Sequence, residues 1–298
     1  VGINARPQQG ESLKMMQIVQ DNSVGDFLEK SDALLYQDEA ANNLMIGLCE
    51  RLLKAKEPPE LPPTFLRVVV EGVTVTGAIH IPPKNLGLTY ANQDQLKALA
   101  LFIKENHIAP PGVIGPAIEA KTFAKIWSEL TSTTYQLARS YRLYKIERVN
   151  HPDIAGKMYL AQESEVDLTA QWLDQFDSEA LLPSDRLSLG VLKVYAQKAI
   201  ENQTIHLWTV GDKPVSMALL GRHTRNGVSI GGVYTPTHLR KNGYASALVA
   251  SLSQKMLDSG KKFCVLNTDL TNSTSNKIYQ NVGYREVLDT KQFSFENL

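Results

Sequence analysis

The sequence predicts an α/β protein, a mixed α+β sheet flanked by helices, in which one chain holds two similar halves. Three observations carry this prediction. The order helix, hairpin, strand, helix, strand, helix, strand occurs twice, although the residues themselves are not repeated. Each half has a glycine-marked turn between two apolar runs, "EG" at Glu71-Gly72 and "GDK" from Gly211. Between the halves, "RVNHPDIAGK" combines proline, glycine and polar residues, as a joint does.

In the first half, Ala41, Leu44, Met45, Leu48 and Leu52 recur at helical spacing, and "EPPELPP" then stops helix formation because proline lacks the amide. "LRVVV" and "VTVTGAI" read as a hairpin, "LGLTY" as a short strand, and Leu96, Leu99, Ala100 and Ile103 as one face of a helix. "GVIG" is the next strand, Phe123, Ile126, Trp127 and Leu130 mark another helix, and "ARSYRLYKIERV" alternates like a long strand. In the second half, 168–176 and 189–200 are helical. "TIHLWTV" and "VSMALLG" form the hairpin, and "VSIGGVY" is the strand after it. Ala245, Leu248, Val249, Leu252 and Met256 then define an amphipathic helix. "KFCVLNT" is a strand, 273–280 a short helix, and "YREV" with "KQFSF" closes the sheet.

The chain of 298 residues has 43% hydrophobic content, which suits a globular protein with a sizeable core. Its formal net charge is zero, which argues against nucleic-acid binding through bulk electrostatics. No apolar run reaches the roughly 18 residues of a membrane helix, and no signal-peptide layout opens the chain. Cys49 and Cys264 are too few for a disulfide framework or a zinc site. These features predict a cytoplasmic protein without membrane contact or metal. Residues 1–15 lack periodicity and read as a disordered tail or an expression remnant. The domains are then 16–150 and 151–298.

The stretch with the sharpest chemistry is "TPTHLRKNGYASALVASLSQK". Pro236 ends a strand at Thr235, and the loop delivers Arg240, Lys241, Asn242 and Gly243 to the start of a helix. The opening amides of a helix lack internal partners and carry the positive end of its dipole, so they suit a phosphate. Gly243 permits positive φ and close approach, and Ala245 is small. A capped loop with solvated charges is the competing reading. A hairpin turn at Asn242-Gly243 conflicts with the helical period downstream, and the dinucleotide fingerprint G-x-G-x-x-G is absent.

Together with "NSTSNKIYQNVGY", this stretch resembles the GNAT superfamily of acyl-CoA-dependent N-acetyltransferases. Arg240, Gly243 and Ala245 fall on that family's pyrophosphate loop, Q/R-x-x-G-x-G/A. Asn272, Ser275, Ile278, Tyr279, Gly283 and Tyr284 fall on its N-x-x-A-x-x-L-Y-x-x-x-G-F/Y signature, with Ser for Ala and Ile for Leu. The first half matches only in its order of elements. It has "TYANQDQLKAL" where the basic loop belongs, and reads as a degenerate copy without cofactor.

The resemblance implies two tandem GNAT-like domains, each with a largely antiparallel sheet that splays into a V, and acetyl-CoA as cosubstrate. The strand at Val233, Tyr234 and Thr235 would offer backbone groups to the pantetheine arm. The amides of Lys241, Asn242, Gly243, Tyr244, Ala245 and Ser246, with Arg240 nearby, would hold the pyrophosphate. Asn272 would reach the pantetheine from the opposite side. A small-molecule amine would attack the thioester directly in a ternary complex, and Tyr279 would protonate the departing thiolate.

Many members place a glutamate on the strand before the loop, but "VSIGGVY" has no carboxylate. Tyr234, His206, His223, Asp269 and a water chain are the remaining candidates for the base, and each of these residues has a competing packing or surface role. Trp172, Trp208 and "YRLY" would line a substrate pocket or fill the core. Interfaces between domains often form clefts, so an acceptor pocket is expected between the halves. The alternative is an acyl-CoA-binding regulatory protein that has lost its chemistry.

Overall fold

The computed structural model describes residues 16–181 and 183–297. The expected N-terminal tail lies outside the described residues. The first half runs β1 (Met16–Asp21), α1 (Val24–Gln37), α2 (Asn43–Lys54), β2 (Thr64–Val70), β3 (Val73–His80), β4 (Leu86–Leu88), α3 (Gln93–Glu105), β5 (Gly112–Pro116), α4 (Ala117–Thr131) and β6 (Thr133–Ile146). The second half runs β7 (Lys157–Leu160), α5 (Val166–Ala180), α6 (Leu189–Glu201), β8 (Ile205–Val210), β9 (Lys213–His223), β10 (Gly227–Tyr234), α7 (Tyr244–Asp258), β11 (Phe263–Asp269), α8 (Ser273–Val282) and β12 (Arg285–Asn297).

Alternation along the strands sends side chains to two faces. In the first half, Leu66, Val68 and Ala78 pack under α3 and α4, while Phe65 and Ile79 pack under α1 and α2. The second half repeats this: Trp208, Val215 and Ala218 meet α7, and Leu207, Met217 and Leu219 meet α5 and α6. The expected hairpins form. Glu71 and Gly72 both take positive φ, 52° and 81°, as a two-residue turn between strands requires.

The strands form one mixed sheet in the order β1-β2-β3-β4-β5-β12-β6-β11-β10-β9-β8-β7. Its centre is crossed. β6 ends the first half but pairs with β11 of the second, from Cys264↔Ile146 to Asp269↔Tyr141. β12 ends the chain but pairs with β5 of the first half, from Thr290↔Pro116 to Ser294↔Gly112. The two crossing strands also pair with each other, from Arg285↔Lys145 to Asn297↔Thr133. The last strand of each half therefore lies beside the other half's sheet.

The sequence reading differs from this architecture in three places. "YREV" and "KQFSF" are one strand, β12, kept continuous by bulges between Glu286 and Leu288 and between Gln292 and Phe293. β6 begins at Thr133, before the alternation of "ARSYRLYKIERV" sets in. The edge strands β1 and β7 escaped notice because they are short and largely solvent-facing, which weakens alternation.

The helices of the first half also clasp the β9–β10 turn of the second. The Arg225 guanidinium pairs with Asp32 and lies 3.7 Å from the Tyr36 ring centroid. The Glu39 carboxylate accepts from the Asn226 amide and from Asn226 Nδ2, both at 2.7 Å. Burial pushes the Glu39 carboxyl up. Hydrogen bonds from Thr224, Asn226 and the Gly227 backbone outweigh that, and the net shift is downward.

Two outcomes follow from the crossing and the clasp. Phe293 of β12 sits in the first half's core, with its ring 5.8 Å from that of Tyr135. Phe293→Ala should cost about 3–5 kcal/mol. Urea unfolding should show one shared transition at both Trp127 and Trp208, although the mutated strand belongs by sequence to the second half. Glu39 has a lowered folded pKa, so its contribution is present at neutral pH and is lost as pH falls through that value. Glu39→Gln should therefore remove about 1–3 kcal/mol at pH 7, and the variant should lose less stability than the parent on acidification below about pH 4.5.

Candidate active site at the opening of α7

β10 and β11 run parallel but pair only at Gly227↔Phe263, Val228↔Cys264 and Ser229↔Val265. Beyond that they part, and the segments from Ile230 to Tyr234 and from Leu266 to Asp269 face a gap. The cause is local. Gly232 has φ 56°, and the β9–β10 register shifts between Gly231 and Tyr234. A bulge here bends β10 away from its neighbour. The Gly231-Gly232 pair was visible in "VSIGGVY", and paired glycines inside a strand were the signal for it.

At the end of β10 the chain turns through a short 3₁₀ segment, Thr237–Leu239, into α7. Gly243 is the N-cap, with φ 78°. No side chain caps this helix, and the first helical bond runs from the Ala247 amide to the Gly243 carbonyl at 3.0 Å. The amides of Tyr244, Ala245 and Ser246 thus have no helical partner. The positive φ favours glycine here, and a Cβ on Gly243 would displace the end of the Ile154 side chain, whose Cδ1 would lie 2.7 Å away. Lys241 is exposed, also at positive φ, 68°. The Asn242 side chain folds back onto the carbonyls of Leu239 and Arg240.

Arg240 is employed within the protein. Its Nε donates to the Thr235 carbonyl at 2.9 Å, and its Nη2 donates to both carboxylate oxygens of Glu179 on α5, at 2.7 and 2.9 Å. It braces the loop against α5. Among the strand residues expected to meet the ligand, the Tyr234 carbonyl accepts from Ser216 Oγ and the Thr235 carbonyl from Arg240. Val233 is half-buried against the second half's core, in the segment facing the gap. A groove of about 550 Å³ lies alongside, between α5 and 236–239, with Trp172, Gln175, Tyr234 and His238 among its walls.

Asn272 caps α8, its Oδ1 accepting from the Ser275 amide at 3.0 Å. Tyr279 is 8% exposed, with its ring between those of Tyr144 and Tyr284. Burial pushes its phenol up to about 12, and its hydroxyl makes no hydrogen bond to another described residue.

The four candidates for a base are each accounted for. Tyr234 donates to Gln175 Oε1 at 2.8 Å. His206 is 1% exposed beside Lys255, and burial first, then that lysine's charge, lower it to about 4. Asp269 holds the Thr271 amide and hydroxyl and lies 3.5 Å from Arg139. His223 is exposed at the end of β9. Cys264 is buried, its thiol pushed up to about 12 by burial, which suits a core residue and not a nucleophile. Trp208 fills the core of the second half, and Trp172 both packs in it and borders the groove.

The equivalent helix of the first half is built differently. At α3 the Asn92 side chain accepts from the Gln95 amide, while Gln95 accepts from the Asn92 amide, a complete capping box. Of the three opening amides that α7 leaves without a partner, α3 caps the third, that of Gln95, and its N-cap amide is satisfied as well.

Among the described residues, no helix is long and apolar enough to cross a membrane, and no three His, Cys, Asp or Glu residues gather as metal ligands do.

This architecture is the fold of the GNAT superfamily. A GNAT-family acetyltransferase from Colwellia psychrerythraea aligns over 95% of this chain and 100% of its own, with TM-score 0.54 and 14% identity. A GCN5-related N-acetyltransferase from Sphaerobacter thermophilus aligns over 93% and 94%, with TM-score 0.60 and 14% identity. A Drosophila protein solved by structural genomics aligns over 94% and 98%, with TM-score 0.65 and 12% identity. Within the second half, residues 212–293 match the FR47-like protein family. No curated protein matches the sequence.

Gly243→Ala should strain the positive-φ position by about 1–2 kcal/mol and crowd Ile154. A fall in melting temperature, together with loss of any anion bound at the α7 amides, is the expected result in thermal melts and titrations.

Proposed function

We propose that the second half binds acetyl-CoA and transfers its acetyl group to the amine of a small molecule. The observation that carries this is the uncapped opening of α7, held open by Gly243, directly after a strand that has parted from its parallel neighbour. Free amides and the positive end of a 15-residue helix favour a diphosphate there. On the flank of β10 turned away from β9, the backbone from Ile230 to Tyr234 has no strand partner and supplies hydrogen-bonding groups for the amide-bearing arm of the coenzyme. A thioester at the gap would face a backbone donor near Val233, which stabilises charge on the carbonyl oxygen as the amine attacks.

The residues of this chain then have defined tasks. Arg240, tied to Glu179, holds the loop in register, and Lys241 adds exposed positive charge. Tyr279 keeps its proton at neutral pH because burial has raised its phenol. It serves as the acid that protonates the departing thiolate. Asn272 shapes the opposite wall by starting α8. The chain works in this reading as two units: 151–298 carries the reaction, and 16–150, with its capped α3, holds no coenzyme.

A second reading is retained because β10 lacks a carboxylate and three of the four candidate bases are engaged or buried: binding of an acyl-CoA without turnover. Free-thiol release over a panel of amines separates the two. Turnover with any amine supports transfer, whereas binding of acetyl-CoA with no release over the whole panel supports the second reading. In the transferase, Tyr279→Phe should lower kcat about 100-fold while leaving acetyl-CoA affinity unchanged. Equal turnover in variant and parent would remove Tyr279 from the chemistry.

A further inference from the structure

A cavity of about 190 Å³ lies between the two halves. Its walls come from α2, from the parting ends of β4 and β5, and from β12, β6 and β11. Leu88, Ile114, Leu143 and Leu288 make most of this lining apolar. One charged side chain reaches it: Arg222, from the end of β9.

Arg222 is held without a counter-ion. A guanidinium has five N–H donors. Here one bond is made, from Nη2 to Asn43 Oδ1 at 3.2 Å, and Nε is sealed from solvent with no acceptor. No carboxylate pairs with it among the described residues. Burial pushes the guanidinium below the usual arginine range, and the like charge of Arg51 adds to this. An arginine starts high enough to remain charged at neutral pH all the same.

Two further features are built around this group. Asn43, 3% exposed, is fixed by its own bond from Nδ2 to the Ala40 carbonyl, so its oxygen is aimed at Arg222. Asn43 also opens α2. No side chain caps that helix and no acid lies in its first turn, while Leu44 and Met45 border the cavity. The positive end of the α2 dipole therefore adds to the charge of Arg222. The Arg222 stem crosses α2 at Gly47, where a Cβ would lie 2.5 Å from Arg222 Cδ. Glycine inside a helix costs about 1 kcal/mol relative to alanine, so the helix gives up stability to let this side chain through.

Arg222 is only partly exposed, and a charge with a solvent-sealed donor and no counter-ion is costly; an anion at this site offsets the cost. The planar fork of a guanidinium matches a carboxylate. The apolar walls exclude multiply charged groups and favour a compact hydrocarbon body. A cavity of about 150 Å³ takes a benzene ring, so this one suits a body of about six carbons.

We propose that this cavity binds a small organic carboxylate, with Arg222 as its counter-ion, Asn43 and the opening of α2 beside it, and the apolar body against Leu88, Ile114 and Leu143. The site is independent of the coenzyme reading, because none of these residues borders the opening of α7.

Titration calorimetry of the full chain with hexanoate is the test. Saturable binding at one site is expected, with hexanamide, its neutral counterpart, at least about tenfold weaker. Arg222→Met keeps the bulk and removes the charge. It should abolish hexanoate binding, leave coenzyme A binding at its parent value, and melt no lower than the parent, since a partly buried charge without a counter-ion has been removed. Absence of saturable hexanoate binding, equal affinity for hexanamide, or undiminished binding in Arg222→Met would overturn the proposal. Should Arg222→Met fail to fold, Gly47→Ala, which displaces the Arg222 stem, takes its place: an affinity lower by about tenfold supports the site, and an unchanged one overturns it. Coenzyme A is titrated separately, so loss of either site is distinguishable from loss of the other.

Discussion

The pairing of β6 with β11 and of β12 with β5 is the constraint on which the rest of the molecule depends. Each crossing strand satisfies backbone groups of the half it does not follow in sequence. An unpaired strand in the middle of a sheet would leave a row of amides and carbonyls without partners, at a cost the packing cannot recover. The halves are consequently not beads joined at 150. Their separate cores, around Phe123 in one and Leu248 in the other, are stitched by two long central strands. The clasp of Glu39 and Arg225 on the β9–β10 turn then fixes the angle at which the helices of the first half meet the second.

Within that frame, the two halves answer one electrostatic problem in opposite ways. The third helix of each half follows a strand that has left its parallel neighbour, and it aims its unpaired amides at the space so created. In the first half, Asn92 and Gln95 cap each other and satisfy two amides of that terminus from within the chain. In the second, a left-handed glycine offers no side chain at all. The first terminus is thus partly closed by side chains, and the second by none. A difference of a few residues at a helix terminus thus leaves that terminus open in one half and capped in the other, while the order of elements stays alike.

Much of this was legible locally. Helical spacing located α2, α3 and α4 by residues on one face and placed α6 and the start of α7 near their observed limits, and glycine turns located both hairpins. The basic loop and its Gly243 were found because a helix start has a sequence signature. What stayed hidden was non-local. Both 133–146 and 285–297 alternate polar and apolar residues, and nothing in either pattern states which sheet edge each will join; that choice rests on contacts across more than a hundred residues. The brace between Arg240 and Glu179 could not be read beforehand because the two lie 61 residues apart. Arg222 drew no notice for the same reason: in sequence it is one more cation at a strand end, and only the fold seals its Nε and leaves it without a carboxylate.

The crossing also explains why the first half is present at all. The cavity at Arg222 has walls from β4, β5 and α2 of the first half and from β9, β11 and β12 of the second. Neither half contains it alone. β12 and β6, side by side beneath it, bring the parting strands of the first half next to β11, whose other flank borders the gap near α7. Asn267 on β11 is an exposed wall of the cavity, and the strand that carries it also bounds the gap. A half that has closed its own helix terminus with a capping box therefore retains a physical task. It supplies walls of a polar-ended pocket shared with the second half, and the exchanged strands pair across that boundary.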